Sequence, residues 1–261
     1  MARFCPLFSG SKANCTYIGG AHGLLVDAGT SFARLKNAME ASNINLSSVG
    51  AVLITHSHTD HIGGLRVLLK KISVPVIASR ETLEYLENHE ILPVGAKTAE
   101  IGEEEIDICD MRVGFFATSH DALGSGGYCV TLPDGNKISV CTDLGIVTDS
   151  VRQAISGSSL VLLEANHDLK MLKNGPYPPE LKMRIMSEHG HLSNLAAAAE
   201  LPSLLKSGTT RFVLGHLSQH NNLPTLAHSA ATAALLDIGA KRNSDYILEV
   251  AAPEKNKVIY L

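Results

Sequence analysis

The segment THSHTDHIGG, residues 55–64, places three histidines and one aspartate within six consecutive positions. It follows VGAVLIT, a nearly continuous apolar run that is typical of a strand covered on both faces. His56 and His58 are two residues apart on an extended stretch, so their side chains point the same way. Asp60 and His61 come where a helix begins. The segment therefore predicts a centre for two metal ions, and a polar surface loop with accidental histidines is the alternative.

Composition limits what the rest of the chain can be. With 261 residues, 45% of them hydrophobic, the chain can bury a sizeable core, and we expect one domain over residues 1–261. A net charge of -4 excludes a global basic field, so a polyanion must be held by a local patch or by metal. No apolar run reaches the roughly 18 residues of a membrane span. The N-terminus lacks the apolar core of a signal peptide, and we expect a cytoplasmic protein.

Cysteine usage agrees with a reducing compartment. The five cysteines are odd in number and form no C-x-x-C pair. We therefore expect reduced, partly buried thiols and no disulfide framework or cysteine metal site.

Strand-like and helix-like segments alternate in both halves of the chain. This pattern predicts an α/β sandwich, with two mixed β-sheets inside and helices outside. The irregular stretch with three prolines predicts a loop-and-helix insertion around residues 166–192. SNLAAAAELPSLLKS predicts a helix interrupted near Pro202. A helix near 224–238 has apolar residues that could pair subunits, which leaves a homodimer open.

The H-x-H-x-D-H motif after a strand resembles the metallo-β-lactamase superfamily, and further segments extend the resemblance over nearly the whole chain. FFATSH, ISVCTDLG and RFVLGH end in or contain His120, Asp143 and His216, where that family has its remaining ligands. Alone, either histidine is better explained as a core or turn residue, and Asp143 as a helix cap. LLVDAG, with Asp27, also matches an early family motif. The resemblance implies the αββα sandwich of that superfamily.

The resemblance also implies how the ligands are shared between two divalent metal ions. His56, His58 and His120 would hold the first ion, and Asp60, His61 and His216 the second, with Asp143 as the bridge. Nitrogen and carboxylate ligands suit Zn²⁺, Mn²⁺ or Fe²⁺. A water between the ions would become a hydroxide that attacks the substrate. His58 stands where the diiron branch of the superfamily has glutamate, which favours hydrolysis. We expect Asp27 to hydrogen-bond the metal loop from behind.

Two further motifs resemble the phosphodiesterase branch that includes tRNA 3′-processing enzymes. In LLEANHD and GHLSN, the resemblance implies that Glu164 orients His191, and that His191 protonates the leaving oxygen. With Asp60, these form the predicted catalytic set. The alternative for His191 is a helix-start residue beside the Ser193 cap. The histidine that precedes the family's glutamate is missing, and His167 either substitutes for it in space or contacts phosphate.

A narrower resemblance is to the YycJ (WalJ) family of bacterial nucleases, carried by SGSKANCTYI, HSHTDHIGG, LLEANHD, GPYP followed by LKMRI, GHLSN and LGHLSQHNN. It implies a 5′→3′ DNA exonuclease with a dinuclear metal centre, for which Mn²⁺ is one of the candidate ions. SGSKAN has Ala13 where the family is expected to have glycine. We therefore expect Asn14 to lie in a slightly different turn, with hardly any effect on the chemistry.

The clearest basic stretch of the chain lies between residues 170 and 184. We expect it to hold a phosphodiester backbone, with Tyr177 stacking on a base, and an ordinary solvated face is the alternative. The predicted substrate-binding residues are His167, Lys170, Lys173, Tyr177, Lys182, Arg184 and His220.

Three functions compete for this site. The leading hypothesis is a metal-dependent nuclease that acts on DNA ends. The second is a small-molecule hydrolase of the hydroxyacyl-thioester or lactone type, and the third a metal-loaded binding module without turnover. The pair Glu164 and His191 favours the nuclease, because a thioester expels a good leaving group that needs no dedicated acid.

Overall fold

Two seven-stranded β-sheets form the centre of the molecule in the computed structural model, which describes residues 1–261. The first sheet contains β1 (Arg3–Phe8), β2 (Cys15–Gly19), β3 (Gly23–Val26), β4 (Val49–Leu53), β5 (Val76–Ala78), β6 (Thr98–Glu100) and β14 (Ile259–Tyr260). The second contains β7 (Ile106–Ile108), β8 (Met111–Ala117), β9 (Gly126–Thr131), β10 (Lys137–Cys141), β11 (Leu160–Glu164), β12 (Arg211–Gly215) and β13 (Ile247–Val250).

Both sheets are mixed, and each is parallel in one part and antiparallel in the other. The first has the order β14-β1-β2-β3-β4-β5-β6, antiparallel from β14 to β3 and parallel from β3 to β6. The second has the order β13-β12-β11-β10-β9-β8-β7, parallel from β13 to β10 and antiparallel from β10 to β7. The carboxyl ends of parallel strands meet at one edge of a sheet, so the loops that follow β4, β10, β11 and β12 can converge.

Nine α-helices and one short 3₁₀ helix, Leu46–Ser48, complete the chain. The α-helices are α1 (Phe32–Ala41), α2 (Thr59–Ile62), α3 (Leu65–Leu69), α4 (Arg80–Asn88), α5 (Asp149–Ile155), α6 (Leu169–Asn174), α7 (Pro179–Met186), α8 (Asn194–Lys206) and α9 (Pro224–Asp237). The segment 166–192, predicted as a loop-and-helix insertion, contains α6 and α7.

Three apolar cores separate four layers. Alternate residues of a strand face opposite sides, so Leu24 and Val26 pack between the sheets while Leu25 packs against the helices of the first sheet. The first sheet is covered by α1, α3 and α4, and the second by α5, α8 and α9. The predicted αββα sandwich of two mixed sheets between helices is confirmed.

Two local features differ from the sequence-based expectation. The predicted interruption near Pro202 is wrong: α8 runs through this residue without a break. Proline removes one helical hydrogen bond, at a cost of about 3 kcal/mol, but Leu201 and Leu204 on either side are buried in the core and keep the helix in place. Strand β6 was not predicted, because its three residues, Thr-Ala-Glu, are exposed and show no apolar alternation.

Helix α9 carries apolar residues on its outer surface. Leu226 and Leu236 are 37% and 67% exposed. Pairing of subunits through residues 224–238 stays a prediction. None of the helices combines the length and the apolar character that crossing a lipid bilayer requires.

Candidate metal centre

Four loops of the two sheets bring the predicted ligands together at one edge of the sandwich. They follow β4, β8, β10 and β12, and they carry His56 to His61, His120, Asp143 and His216. Seven side chains from these loops form overlapping clusters, and in each cluster the candidate ligand atoms lie within 4.8 Å of one another. The predicted ligand set is therefore assembled in space, although its members are up to 160 residues apart in the chain.

The first cluster consists of the three imidazoles that were assigned to one ion. His56 follows β4, and His58 is the N-cap of α2. His58 Nδ1 and His120 Nε2 face each other at 3.3 Å. The opposite nitrogens are held from outside: His56 Nδ1 lies 3.0 Å from Thr55 Oγ1, and His120 Nδ1 lies 3.1 Å from the carbonyl oxygen of Gly190. This leaves the Nε2 atoms of His56 and His120 aimed at the centre.

The second cluster joins Asp60 to His61 and His216. Asp60 Oδ2 lies 3.4 Å from His61 Nε2 and 3.6 Å from His216 Nε2. His61 Nδ1 donates to Asp27 Oδ2 at 2.8 Å, and His216 Nδ1 donates to Glu164 Oε1 at 2.7 Å. Because each Nδ1 carries the hydrogen, each Nε2 offers a lone pair to the cluster.

Asp143 lies between the two clusters. Its Oδ2 is 3.2 Å from His61 Nε2, and its Oδ1 is 3.9 Å from His120 Nε2. Burial raises the pKa of this carboxyl, but the imidazoles of His216 and His61 outweigh burial and hold the pKa well below its usual value. Asp143 and His216 have φ of 59° and 53°, a left-handed conformation that costs non-glycine residues about 1–3 kcal/mol. The fold thus holds two ligand positions in strained backbone.

Unpaired buried atoms test whether the residues fit metal ions. His56 Nε2, His216 Nε2 and Asp143 Oδ2 are buried without a hydrogen-bond partner, one in each cluster and one between them. Each unpaired buried atom costs about 1–3 kcal/mol, and a cation in each cluster would satisfy all three. Five imidazole nitrogens and two carboxylates suit divalent Zn, Mn or Fe. The residues fit two divalent metal ions.

Asp27 lies behind the metal loop, at the position expected for it. It is 2% exposed, and its Oδ1 accepts hydrogen bonds from the backbone nitrogen of Thr55 at 2.8 Å and from Thr55 Oγ1 at 3.0 Å. Through these bonds and the bond from His61, one carboxylate fixes both ends of the segment that carries four candidate ligands.

Glu164 and His191 adjoin the metal cluster. His191 Nδ1 donates to Glu164 Oε1 at 2.8 Å, and Glu164 is fully buried. Burial raises the pKa of Glu164, but His191 and His216 outweigh burial and lower the pKa to about 2. Burial lowers the pKa of His191, but Glu164 and Asp143 outweigh burial and raise it. The arrangement favours a protonated imidazole beside the cluster.

The segment 166–192 extends along one side of the site. Lys170 and Lys173 are exposed on α6, and Lys182 Nζ donates to the carbonyl oxygen of Lys173 at 2.8 Å. Arg184 forms an ion pair with Asp121, next to His120, which the sequence analysis did not foresee. Tyr177 and His220 come together, with ring centroids 6.0 Å apart. Substrate contacts by these residues stay predictions.

The burial of His167 argues against its predicted role as a substrate contact. The residue is 1% exposed, and its Nδ1 has no hydrogen-bond partner. Burial lowers its pKa to about 4. A buried, uncharged ring is a weaker phosphate contact than an exposed cation, and substrate contact by His167 stays a prediction.

Asn14 lies against the second cluster, although the sequence did not mark it as a candidate site residue. It is 6% exposed, and its Nδ2 lies 2.9 Å from His61 Nε2 and 3.1 Å from Asp60 Oδ2. The side chain of Asn14 therefore contacts two candidate ligands, and the small effect expected of the altered turn stays a prediction. The sequence signal that could have identified Asn14 is its place in SGSKAN, a segment that carries the family resemblance.

Comparisons with known proteins agree with this geometry. Residues 22–217 match the model of the beta-lactamase superfamily domain. The chain is 35% identical over 239 residues to exodeoxyribonuclease YycJ of Bacillus anthracis, covering 90% of both chains. It is 35% identical over 230 residues to exodeoxyribonuclease WalJ of Streptococcus pneumoniae, covering 87% of this chain and 85% of the relative.

Among solved structures, the metallo-beta-lactamase fold protein YhfI from Bacillus subtilis superposes with a TM-score of 0.72. The match covers 99% of this chain and 98% of that one, at 16% sequence identity, and therefore concerns the fold alone.

Proposed function

This chain belongs to the beta-lactamase superfamily, in the branch of the YycJ and WalJ exodeoxyribonucleases, and on that premise we propose that it is a metal-dependent nuclease that removes nucleotides from DNA ends. The direction 5′→3′ is part of the proposal and rests on the family resemblance. The five free cysteines support the proposed cytoplasmic location.

The residues that would hold the two ions are those of the two clusters, with Asp143 shared. Support comes from the three buried and unpaired ligand atoms. When bound, two divalent cations lower the pKa of an attacking water and polarise the phosphodiester. Zn²⁺, Mn²⁺ and Fe²⁺ all suit the ligands.

The chain itself supplies the proton for the leaving group. His191 Nδ1 is fixed by Glu164, and no hydrogen bond within the protein engages Nε2 of the same ring. The side chain is 20% exposed, so solvent and substrate can reach it. A protonated His191 can donate from Nε2 to the departing oxygen, while Glu164 stabilises the imidazolium through Nδ1.

The single observation that carries the proposal is this Glu164–His191 pair beside the metal cluster. An alkoxide that leaves a phosphodiester is a poor leaving group and requires a proton. A thioester expels a good leaving group, so a small-molecule hydrolase of the hydroxyacyl-thioester or lactone type has less use for the pair. Lys170 and Lys173, on the exposed face of α6, would bind the DNA backbone.

A digestion assay tests the proposal. The protein is incubated with Mn²⁺ and linear DNA labelled at the 5′ or the 3′ end, beside a generic thioester substrate. We expect the wild type to release labelled nucleotide first from the 5′ end. His191→Ala should lower kcat by about 10²–10⁴-fold with its metal content retained.

The control is His89→Ala, which removes an exposed histidine at the end of α4 and should digest DNA as the wild type does. Thioester hydrolysis with intact DNA would contradict the proposal.

A further inference from the structure

The loop between β1 and β2 packs against the second metal cluster. The backbone nitrogen of Asn14 donates to the carbonyl oxygen of Asp60 at 2.8 Å. Ser9, at the other end of the loop, accepts a hydrogen bond from the backbone nitrogen of His216 through its Oγ at 2.8 Å. With the contact of the Asn14 side chain to His61, the loop touches all three residues assigned to the second ion.

The orientation of the Asn14 side chain follows from its neighbours. Its Oδ1 accepts a hydrogen bond from the backbone nitrogen of Gly10 at 3.0 Å. Only an oxygen can accept that bond, so the NH₂ group must lie at the other end of the amide. That group lies 3.1 Å from Asp60 Oδ2 and 2.9 Å from His61 Nε2. A donor is therefore placed against two atoms that would bind the same ion.

Asn14 is to Asp60 what other residues outside the clusters are to the candidate histidine ligands. His61 is fixed by Asp27, His216 by Glu164, and His56 by Thr55. Asn14 is the one residue outside the predicted ligands whose side chain donates to the Asp60 carboxylate. The Asp60 side chain is 23% exposed, so packing constrains it less than it constrains the buried histidines.

We propose that Asn14 is a positioning residue of the second metal cluster, which holds Asp60 Oδ2 toward His61 and His216 and thereby sets the affinity of that cluster for its ion. Without an ion, the amide NH₂ also faces the lone pair of His61 Nε2. An ion in the cluster would take up that lone pair and leave Asn14 the hydrogen bond to Asp60. This inference rests on the proposed metal centre.

Asn256 offers a comparison for a purely structural role. Its Nδ2 donates to the carbonyl oxygens of Pro6 and Ala252 at 2.7 and 2.8 Å, and its Oδ1 accepts from the backbone nitrogen of Ala252 at 2.7 Å. Like Asn14, it fixes a loop through both ends of its amide, but it contacts no candidate ligand. Replacing it removes loop-holding bonds alone.

The test measures binding of Mn²⁺ and Co²⁺ to the metal-free full chain by calorimetry and, for Co²⁺, by its absorption bands. We expect the wild type and Asn256→Ala to bind two ions. Asn14→Ala should bind the first ion with wild-type affinity and the second about 10–100-fold more weakly. Its DNA digestion should recover as Mn²⁺ is raised, because the defect is one of occupancy.

Retention of the first ion shows that Asn14→Ala is folded. Unchanged affinity for both ions would overturn the inference while leaving the proposed nuclease intact. Equal weakening of both ions, with a loss of thermal stability like that of Asn256→Ala, would also overturn it. A wild type that binds no ion would instead contradict the proposed metal centre itself.

Discussion

Glu164 Oε1 accepts hydrogen bonds from two imidazoles at once, His191 Nδ1 at 2.8 Å and His216 Nδ1 at 2.7 Å. Its other oxygen accepts from the backbone nitrogens of Leu144 and Leu192 at 3.1 and 3.2 Å. One buried carboxylate therefore fixes a candidate metal ligand, the candidate acid and the loop next to Asp143. The candidate metal ligand His216 and the candidate acid His191 are therefore both oriented by Glu164.

Replacing this carboxylate by its amide should affect both functions. In Glu164→Gln, the NH₂ group must face either the two imidazole N–H groups or the two backbone N–H groups. Because all of these are donors, two of the four hydrogen bonds are lost. We expect the free energy of unfolding to fall by about 1–3 kcal/mol and the affinity for the second ion to fall about 10–100-fold. Urea unfolding and metal titration measure the two effects.

Glu200→Gln is the matched control, because Glu200 is a largely buried carboxylate that pairs with Arg152 away from the site. It should lose stability and keep both metal affinities. Unchanged metal binding in Glu164→Gln would show that His216 does not need this partner.

The exposed lysines of α6 should contribute to the salt dependence of DNA cleavage. If Lys170 and Lys173 each neutralise one phosphate, the double alanine variant should lower the slope of log kcat/KM against log salt by about 1.4 for single strands. The measurement is initial rate against salt concentration at fixed Mn²⁺.

Lys206→Ala with Lys241→Ala removes the same charge elsewhere. Lys206 ends α8, roughly 18 Å from the first residue of that helix. The control pair should leave the slope unchanged. Equal slopes in both double variants would assign the effect to net charge and not to α6.

The buried His167 should make the metal-free protein less stable in acid. Its pKa is about 4 in the fold and about 6.5 when unfolded. Between these values the unfolded chain binds a proton that the native state does not, so the free energy of unfolding falls as pH decreases from 6.5 to 4. His167→Leu should remove up to about 3 kcal/mol of that loss.

Urea unfolding at pH 7, 6 and 5, with chelator present, measures the difference between wild type and variant. The gain of His167→Leu over the wild type should increase as pH falls. A second neutral replacement, His167→Gln, should show the same pH trend. Parallel stability curves would mean that the ring is protonated in the native state.

Sequence reasoning was most successful where neighbouring residues decide geometry. His56, His58, Asp60 and His61 lie within six positions, so the local backbone alone brings them to one loop. The more distant ligands were reached through family resemblance, since no spacing in the chain relates His120 to His216. Alternating apolar runs predicted the two mixed sheets, because strand and helix periods are local properties.

Contacts between distant loops could not be predicted from neighbouring residues. Nothing near Arg184 in the sequence indicates its ion pair with Asp121, and the positive charge alone suggested a phosphate contact. His167 lies in a segment that is bonded to two distant parts of the chain, since the backbone nitrogen of Asn194 donates to the His167 carbonyl oxygen and that of Asp168 donates to the Asn221 carbonyl oxygen. A side chain's exposure is set by what the rest of the fold places above it.

The sequence by itself determined the two mixed sheets between helices and the four candidate ligands of residues 56–61, because hydrophobic periodicity and a short motif lie in consecutive positions. The other three candidate ligands were predicted from the resemblance to a family. Tertiary structure alone decided that Asn14 faces Asp60 and that Glu164, the predicted partner of His191, also accepts a hydrogen bond from His216. These relationships arise where the loops after β1, β4, β11 and β12 meet, and the distance between such loops depends on the packing of two whole sheets.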